Sequence, residues 1–204
     1  MTRWRGIIVP MILLVLAEVA FRVSVGTSDS LAPPSRVVAA LAEALRDGSL
    51  LVGTLKTFGT MLTGLAVGAL SGLAVGIALG FSETLRRAAF LTIEMLRPIP
   101  SVALLPLSLL IFGFGYRMEI AVIAFATFWP CLILTQSAVA QIEPRLIEVS
   151  RLLGLTRLQT AWKIVLPAAA PRLMTGLRLA AGLALVVAVT AEIVSNPKAS
   201  ATTL

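Results

Sequence analysis

Five long apolar stretches constrain this sequence more than any other feature. About 20 apolar residues are enough to cross the hydrocarbon core of a bilayer as an α-helix. The backbone finds no water to bond inside lipid, so such a segment must be helical. We therefore predict an all-α, polytopic transmembrane helical bundle with about five spans, near residues 6–25, 58–80, 88–112, 120–140 and 174–194.

The composition agrees with a membrane protein and argues against other classes. Hydrophobic residues make up 58% of the 204 residues and charged residues 13%, against about 25% charged in an average soluble domain. The net charge of +7 does not indicate a nucleic-acid partner, because the basic residues lie at the ends of apolar stretches. There is no histidine and one cysteine, Cys131, which we interpret as a packing residue, so no metal or catalytic site is predicted.

A glycine recurs at every fourth position of the second stretch. Glycine is a poor helix former, but in a membrane helix it lets a second backbone come close. A four-residue step advances the stripe by about 40° per repeat, which suits a right-handed crossing. Three interpretations are open: packing within the subunit, a surface that slides when the helices move, or a dimer seam. The stripe consists of Gly64, Gly68, Gly72, Gly76 and Gly80.

The first stretch carries Glu18 and Arg22, which lie four residues apart and can pair on one helix face. Arg3 and Arg5 precede an apolar run, so a cleaved signal peptide is the competing interpretation. No clear cleavage site with small residues follows, which favours an uncleaved span.

The connections between the stretches differ in character. In residues 27–57 we expect Ser35 to cap a short amphipathic surface helix with an apolar stripe formed by Val37, Val38, Leu41, Ala44 and Leu45. The connections "SETLRR" and "GFGYRME" are short.

The third stretch is interrupted by "RPIP", where Pro98 and Pro100 break the helix. Arg97 and Glu94 lie three residues apart and can pair there. The break is either a kink at the membrane entry or a place where freed backbone groups line a pathway.

Two charged residues of the fifth stretch are further pathway candidates. Arg178 either extends to the membrane surface or attracts an anion in the pore. Glu192 either caps the span or meets Lys198, or it belongs to an outer gate.

The distribution of basic residues predicts a cytoplasmic N-terminus. That orientation places nine basic residues inside, namely Arg3, Arg5, Arg86, Arg87, Arg145, Arg151, Arg157, Lys163 and Arg172. It places six outside, namely Arg22, Arg36, Arg46, Lys56, Arg117 and Lys198. The connection between the fourth and fifth stretches then faces the cytoplasm.

That connection is the longest polar stretch. Pro144 suits the first position of a helix whose apolar face contains Leu146, Val149, Leu152 and Leu153, with Glu148 and Arg151 on the polar side. Gly154 ends the helix in a left-handed turn. A second helix is predicted over 156–165, and Pro167 and Pro171 then start the fifth span. The connection is either a hairpin on the membrane surface or a docking element for another protein.

The same connection carries a motif. Glu148, Val149 and Ser150, then Gly154, then "IVLP" ending in Leu166 and Pro167, resemble the "EAA…G…I-LP" loop of binding-protein-dependent ABC import permeases. "LRPIPSVALLPLSLLIFGFG" and "LTGLRLAAGLALVVAVTAEI" are similar to the aliphatic sulfonate, nitrate, taurine and bicarbonate branch. The similarity covers about residues 35–193. Val149 and Ser150 replace the usual alanine pair.

The resemblance implies one permease domain over residues 1–204 of the type I importer kind, with a cytoplasmic ATPase-coupling loop at 141–167. It implies a homodimer in a bacterial cell membrane, two ATPase subunits and an external binding protein that delivers a small anion. The sequence has no G-x-x-x-x-G-K-[ST] motif, so ATP and Mg²⁺ are expected on the partner ATPase and no cofactor on this chain.

The end of the sequence departs from the family. Family members have a further span after "AEI", whereas "VSNPKASATTL" cannot cross a membrane, so we expect the last span to be lacking. Two alternatives to an importer subunit are a secondary transporter and a truncated, non-transporting paralogue or scaffold. The lack of histidine and of a ladder of carboxylates within the spans argues against the secondary transporter.

Overall fold

The computed structural model describes residues 5–24 and 32–195, and every regular element in those residues is helical. The chain divides into two compact units, with residues 57–195 forming unit 2 and unit 1 holding the described residues up to Lys56. The boundary between the units, after Lys56, falls inside the continuous helix Ser49–Phe81. The prediction of a single permease domain over residues 1–204 stays a prediction. Arg3 and Lys198 lie outside the described residues.

Unit 1 contains helices α1 (Arg5–Ser24) and α2 (Pro34–Arg46). The predicted ion pair forms, with Arg22 Nε 2.7 Å from Glu18. Ser35 does not cap α2 as predicted, because Pro33 is the N-cap and Pro34 already occupies the first helical turn. The backbone N–H and the hydroxyl of Ser35 instead donate to the Glu18 carboxylate at 3.0 and 2.7 Å.

Helix α3 (Ser49–Phe81) begins nine residues before the predicted span. Its start is fixed locally, since the Ser49 backbone N–H donates to Asp47 at 2.8 Å. That hydrogen bond lowers the pKa of the Asp47 carboxyl. A polar residue just ahead of a helix stabilises its free N–H groups, so the helix extends into the segment that hydropathy assigned to the connection.

Unit 2 is built around helix α6 (Tyr116–Ala140). The residues of α3 from Thr57 onward run parallel to α6, because Gly64 faces Ile123 and Gly80 faces Val139. Helix α9 (Leu166–Ser195) is antiparallel to both, and the Thr57 hydroxyl near the start of unit 2 donates to Glu192 near the end of α9. The core where these helices meet α5 contains Met61, Leu105, Met118, Val122, Ile123, Ala184, Val187, Ala188 and Ala191.

The predicted broken span is present as α4 (Glu83–Leu96), a 3-10 turn (Ser101–Leu104) and α5 (Leu105–Phe112), bent by 82°. "SETLRR" is not a connection as predicted. Ser82 caps α4 by accepting from the Leu85 N–H, and Glu83 pairs with Arg86 and Arg87. The capping residue and the acidic first turn start the helix earlier than the apolar run does.

The chain crosses the full length of unit 2 between α3 and α6. Helix α3 ends beside the end of α6, whereas Tyr116 at the start of α6 bonds to Gly59 and Thr63 near the other end of α3. The bent pair therefore connects opposite ends of the unit. We call the end where α3 and α6 finish the α7 end, after helix α7 (Pro144–Leu152), which follows there.

The second helix of the long connection is not separate from the fifth span. Helix α8 (Arg157–Thr160) continues through a π turn (Ala161–Val165) into α9. The Leu166 N–H bonds to the Ala161 carbonyl, and this wider turn directly precedes Pro167, which has no N–H to give. Pro167 therefore does not begin a new element.

Three helical stretches in the described part of the chain are long and apolar enough to cross a membrane: Ser49–Phe81, Tyr116–Ala140 and Ala161–Val194. The bent pair makes a fourth if it counts as one span. Helix α1 forms over the predicted first stretch, and its crossing of the membrane stays a prediction.

Candidate functional site

Helix α7 has the predicted beginning and end. Glu143 is its N-cap and Pro144 stands in the first turn. Gly154 has φ of +64°, its N–H donates to the Arg151 carbonyl, and the Leu155 N–H donates to the Ser150 carbonyl, both at 3.0 Å. These two bonds form a Schellman motif, which satisfies carbonyls at the helix end and favours glycine at the left-handed residue.

The two faces of α7 have different surroundings. Ser150 is 3% exposed, and its hydroxyl donates to the Ile147 carbonyl at 2.6 Å. Val149 is 46% and Leu152 87% exposed. We call the exposed apolar residues Leu146, Val149, Leu152 and Leu153 the α7 stripe. The stripe is uncovered, as expected for a docking element, while its docking role stays a prediction.

The polar side of α7 faces a cavity of 630 Å³ at the α7 end. Glu148 and Arg151 are exposed and line it together with Phe81 of α3 and Ala140 of α6. Helix α7 therefore lies beside the ends of two of the candidate spans, α3 and α6.

Leu166 and Pro167 do not join α7. They line a separate apolar cavity of 510 Å³ between α3, α6 and α9, with Leu73 and Leu134. Trp162, 64% exposed, stands at the same cavity. Sequence reasoning missed Trp162, although an aromatic residue at the start of a long apolar helix is typical of a membrane interface.

The glycine stripe packs inside unit 2 against α6. A Cβ built on Gly64 would stand 2.6 Å from Ile123 Cβ, and one on Gly76 would stand 2.6 Å from Thr135 Cβ. Gly68 and Gly80 face Thr127 and Val139 in the same way. The structure thus agrees with the first of the three interpretations, close packing within the subunit.

Helix α9 carries a second stripe of small residues that sequence reasoning missed. Gly176, Ala180, Ala184 and Ala188 are buried and recur every fourth residue. Gly176 lies against Leu134, and Ala184 and Ala188 belong to the core with Met118 and Val122. The four-residue spacing was the available signal, but alanine is common in any apolar helix.

The candidate pathway residues are not brought together. Arg97, Pro98 and Pro100 lie at the bend after α4, and the structure does not form the predicted pair between Glu94 and Arg97. Both side chains are exposed, and Arg97 is the C-cap where the helix ends. An exposed pair gains little from forming.

Arg178 and Glu192 lie on α9 in different surroundings. Arg178 is exposed, whereas Glu192 is half-buried and accepts a hydrogen bond from Thr57. Glu192 therefore ties α9 to α3 at the end opposite α7. Within residues 5–24 and 32–195, no group of three or more His, Cys, Asp or Glu residues could hold a metal ion.

Residues 64–204 match the family described as binding-protein-dependent transport system inner membrane component. The chain belongs to this family. The match begins at the glycine stripe and includes α7 and α9, and it confirms the predicted resemblance to binding-protein-dependent import permeases. The role of each loop residue stays a prediction.

Relatives of this permease family have names that agree. The chain is 36% identical over 155 residues to a protein of Methanocaldococcus jannaschii named as an ABC transporter permease, covering 76% of this chain and 58% of that relative. It is 30% identical over 192 residues to SsuC of Bacillus subtilis, named for aliphatic sulfonates transport, covering 94% and 70%. It is 36% identical over 126 residues to the taurine transport system permease protein TauC of Escherichia coli, covering 62% and 46%. The chain thus spans about half to two thirds of these relatives.

A solved structure shows the same fold. A chain of the MetNI methionine ABC transporter, in an inward facing conformation, superposes with a TM-score of 0.64 at 24% sequence identity, covering 72% of this chain and 74% of that one. The all-α permease bundle is therefore confirmed.

Proposed function

We propose that the chain is the membrane-spanning subunit of an ABC importer and forms the path for a small anionic solute. Family membership supports transport, and several relatives are named for aliphatic sulfonates, taurine, bicarbonate or nitrate. Each of these solutes carries an anionic oxygen-containing group. The partners would be a second copy of the chain, two ATPase subunits and an external binding protein, in a membrane with the N-terminus on the cytoplasmic side.

The observation that carries the proposal is the exposed α7 stripe. Apolar side chains that remain exposed at the end of a membrane bundle fit a cleft on a soluble partner. Val149 and Leu152 would fill that cleft, and Glu148 or Arg151 would fix the register through an ion pair. ATP and Mg²⁺ would be bound by this partner, since the sequence lacks a P-loop motif.

The structure suggests how movement of the partner could reach the spans. Helix α7 lies beside the ends of α3 and α6, and the chain after Gly154 enters the continuous stretch from α8 to α9. A displacement of α7 would therefore act on three spans. Packed helices switch between discrete arrangements, which would give inward and outward openings.

The test is reconstitution of the chain with the ATPase and binding protein of its own host in proteoliposomes. We expect ATP-dependent uptake of at least one of nitrate, bicarbonate, taurine or methanesulfonate. Val149→Asp should abolish uptake and ATPase recruitment, because a carboxylate in an apolar cleft is costly. Thr84→Asp adds the same charge at an exposed position outside residues 141–167 and should retain both.

Two results would contradict the proposal. Uptake driven by a proton gradient without the ATPase would indicate a secondary transporter. An ATPase that binds while none of the four solutes moves would indicate a non-transporting scaffold.

A further inference from the structure

Arg178 points away from the core of unit 2. Gly176 and Ala180 are buried on the α6 side of α9, and each is two residues from Arg178, about 200° around the helix. The residues that share the face of Arg178 are exposed, with Met174 65% and Val189 44% accessible. Arg178 thus stands on a surface that this chain's own core leaves uncovered.

No described residue neutralises this charge. Arg178 forms no hydrogen bond or ion pair within residues 5–24 and 32–195. The one carboxylate in the described part of α9, Glu192, lies 14 residues further on, about 21 Å along the helix axis. Glu192 is bonded to Thr57. A cation without a partner within a membrane span is costly and marks a functional site by default.

The depth of Arg178 separates it from the α7 end. Gly176 lies at the level of Leu134, which is six residues before α6 ends at Ala140. Arg178 is therefore about 12 Å from that end along the bundle. Arg178 also stands near the middle of the stretch Ala161–Val194. A surface arginine would be expected within the last turn of a span, close enough to reach the lipid head groups.

The space beside Arg178 is open. Gly182 lies one turn further along the same face, and a Cβ built there would meet no atom within 4 Å. Because Gly182 has no side chain, the guanidinium has room for a small ligand beside it. The planar fork of arginine donors matches the oxygens of an oxyanion in a bidentate arrangement.

We propose that the Arg178 face of α9 lines the solute path and that Arg178 binds the anionic group of the solute. The inference rests on the proposed transport function, and it adds the residue that selects an oxyanion. The side chain supplies the positive charge, and Gly182 supplies the space. Arg178 acts here as a binding and selectivity residue.

Cysteine labelling tests this without a transport assay. Gly182→Cys is introduced with Cys131→Ala, and the full chain in membranes is treated with an anionic or a cationic water-soluble thiosulfonate. We expect both reagents to react, and the anionic one to react faster. Arg178→Gln should lower the ratio of anionic to cationic rates by at least about fivefold, because one unit charge a few ångströms away is removed.

Two control variants isolate the position of the charge. Arg172→Gln removes one charge from an exposed position on another face of α9 and should leave the ratio unchanged. Arg178→Lys keeps the charge and should keep the preference for the anionic reagent. It should weaken oxyanion protection, because lysine lacks the planar fork.

Ligand protection tests oxyanion binding directly. Potassium nitrate at millimolar concentration should slow the labelling of Gly182→Cys, and potassium gluconate at equal ionic strength should not. Arg178→Gln should abolish that protection while the amount of protein in the membrane is unchanged.

Either of two results would overturn the inference. Failure of both reagents to label Gly182→Cys would show a lipid-facing surface and an arginine extending to the head groups. Labelling with the same charge ratio in Arg178→Gln would show a water-filled face that Arg178 does not govern. Neither result depends on ATPase recruitment, so failure of the importer function would be recognised separately.

Discussion

Gly72 of α3 lies against the backbone of Phe128 in α6, and a Cβ built on Gly72 would stand 2.6 Å from the Phe128 carbonyl oxygen. That distance is shorter than a carbon and an oxygen can approach without displacement. The carbonyl belongs to a helix and cannot rotate away as a side chain would. The contact therefore requires glycine for reasons of space.

We predict that Gly72→Ala destabilises the bundle by about 1–3 kcal/mol, the usual cost of overpacking. Gly59→Ala is the matched control, because it lies on the same helix and its Cβ would meet nothing within 4 Å. The control should be neutral or stabilising by up to about 1 kcal/mol, since alanine favours helix. Thermal unfolding in detergent measures both. Gly72→Leu should lose assembled protein altogether, whereas Leu73→Gly should lose less.

The turn after α7 gives a second prediction. Gly154→Val should leave the spans inserted and uncouple uptake from ATP hydrolysis, because φ of +64° strains a β-branched residue by roughly 1–3 kcal/mol. A Cβ there would meet no atom within 4 Å, so backbone strain is the isolated variable. Gly154→Asn tolerates the left-handed conformation better and should restore coupling. Coupled transport by the valine variant at the wild-type rate would refute the role of this turn.

The orientation in the membrane gives a third prediction. Leu152→Cys in a Cys131→Ala background should react with an impermeant reagent from the cytoplasmic side alone, since Leu152 is 87% exposed at the α7 end. Arg117→Cys, near the start of α6 at the opposite end, should react from outside alone. Ser150 is unsuitable for this test because it is 3% exposed. The reverse pattern of labelling would invert the topology.

The hydrogen bond between Thr57 and Glu192 gives a fourth prediction. Thr57→Val and Glu192→Gln should each destabilise unit 2 by about 1–2 kcal/mol, because each removes part of a half-buried hydrogen bond to a carboxylate. The double variant should lose less than the sum of the two, with a coupling energy of about 1 kcal/mol. Additive losses would show that the two side chains act independently.

Apolar length was sufficient to predict the helices but not where they begin. Asp47 and Ser82 start α3 and α4 earlier than the apolar runs do. The π turn before Pro167 joins two elements that the proline was expected to separate. Each difference arises from local hydrogen bonding, which hydropathy does not describe.

The sequence predicted the backbone of the candidate site where a residue type strongly favours one backbone conformation. Gly154 met that condition, and so did the helix start at Pro144. Which side chains of α7 and α9 are buried and which are exposed was not predictable, because burial depends on the neighbouring helices. Ser150 is buried by its surroundings, and Arg178 is left uncovered by its position opposite the small-residue face.

The parallel packing of α3 and α6 also sets an order of events during synthesis. Gly72 and Phe128 are 56 positions apart in the sequence (128 − 72), and α4 and α5 must be made between them. At a typical elongation rate of about 5–20 residues per second, α3 waits roughly 3–11 s for its partner. During that interval the five glycines of α3 lack the α6 surface that covers them in the finished bundle. The stripe that packs closely on α6 in the finished bundle is thus open to a wrong neighbour while the chain is being made.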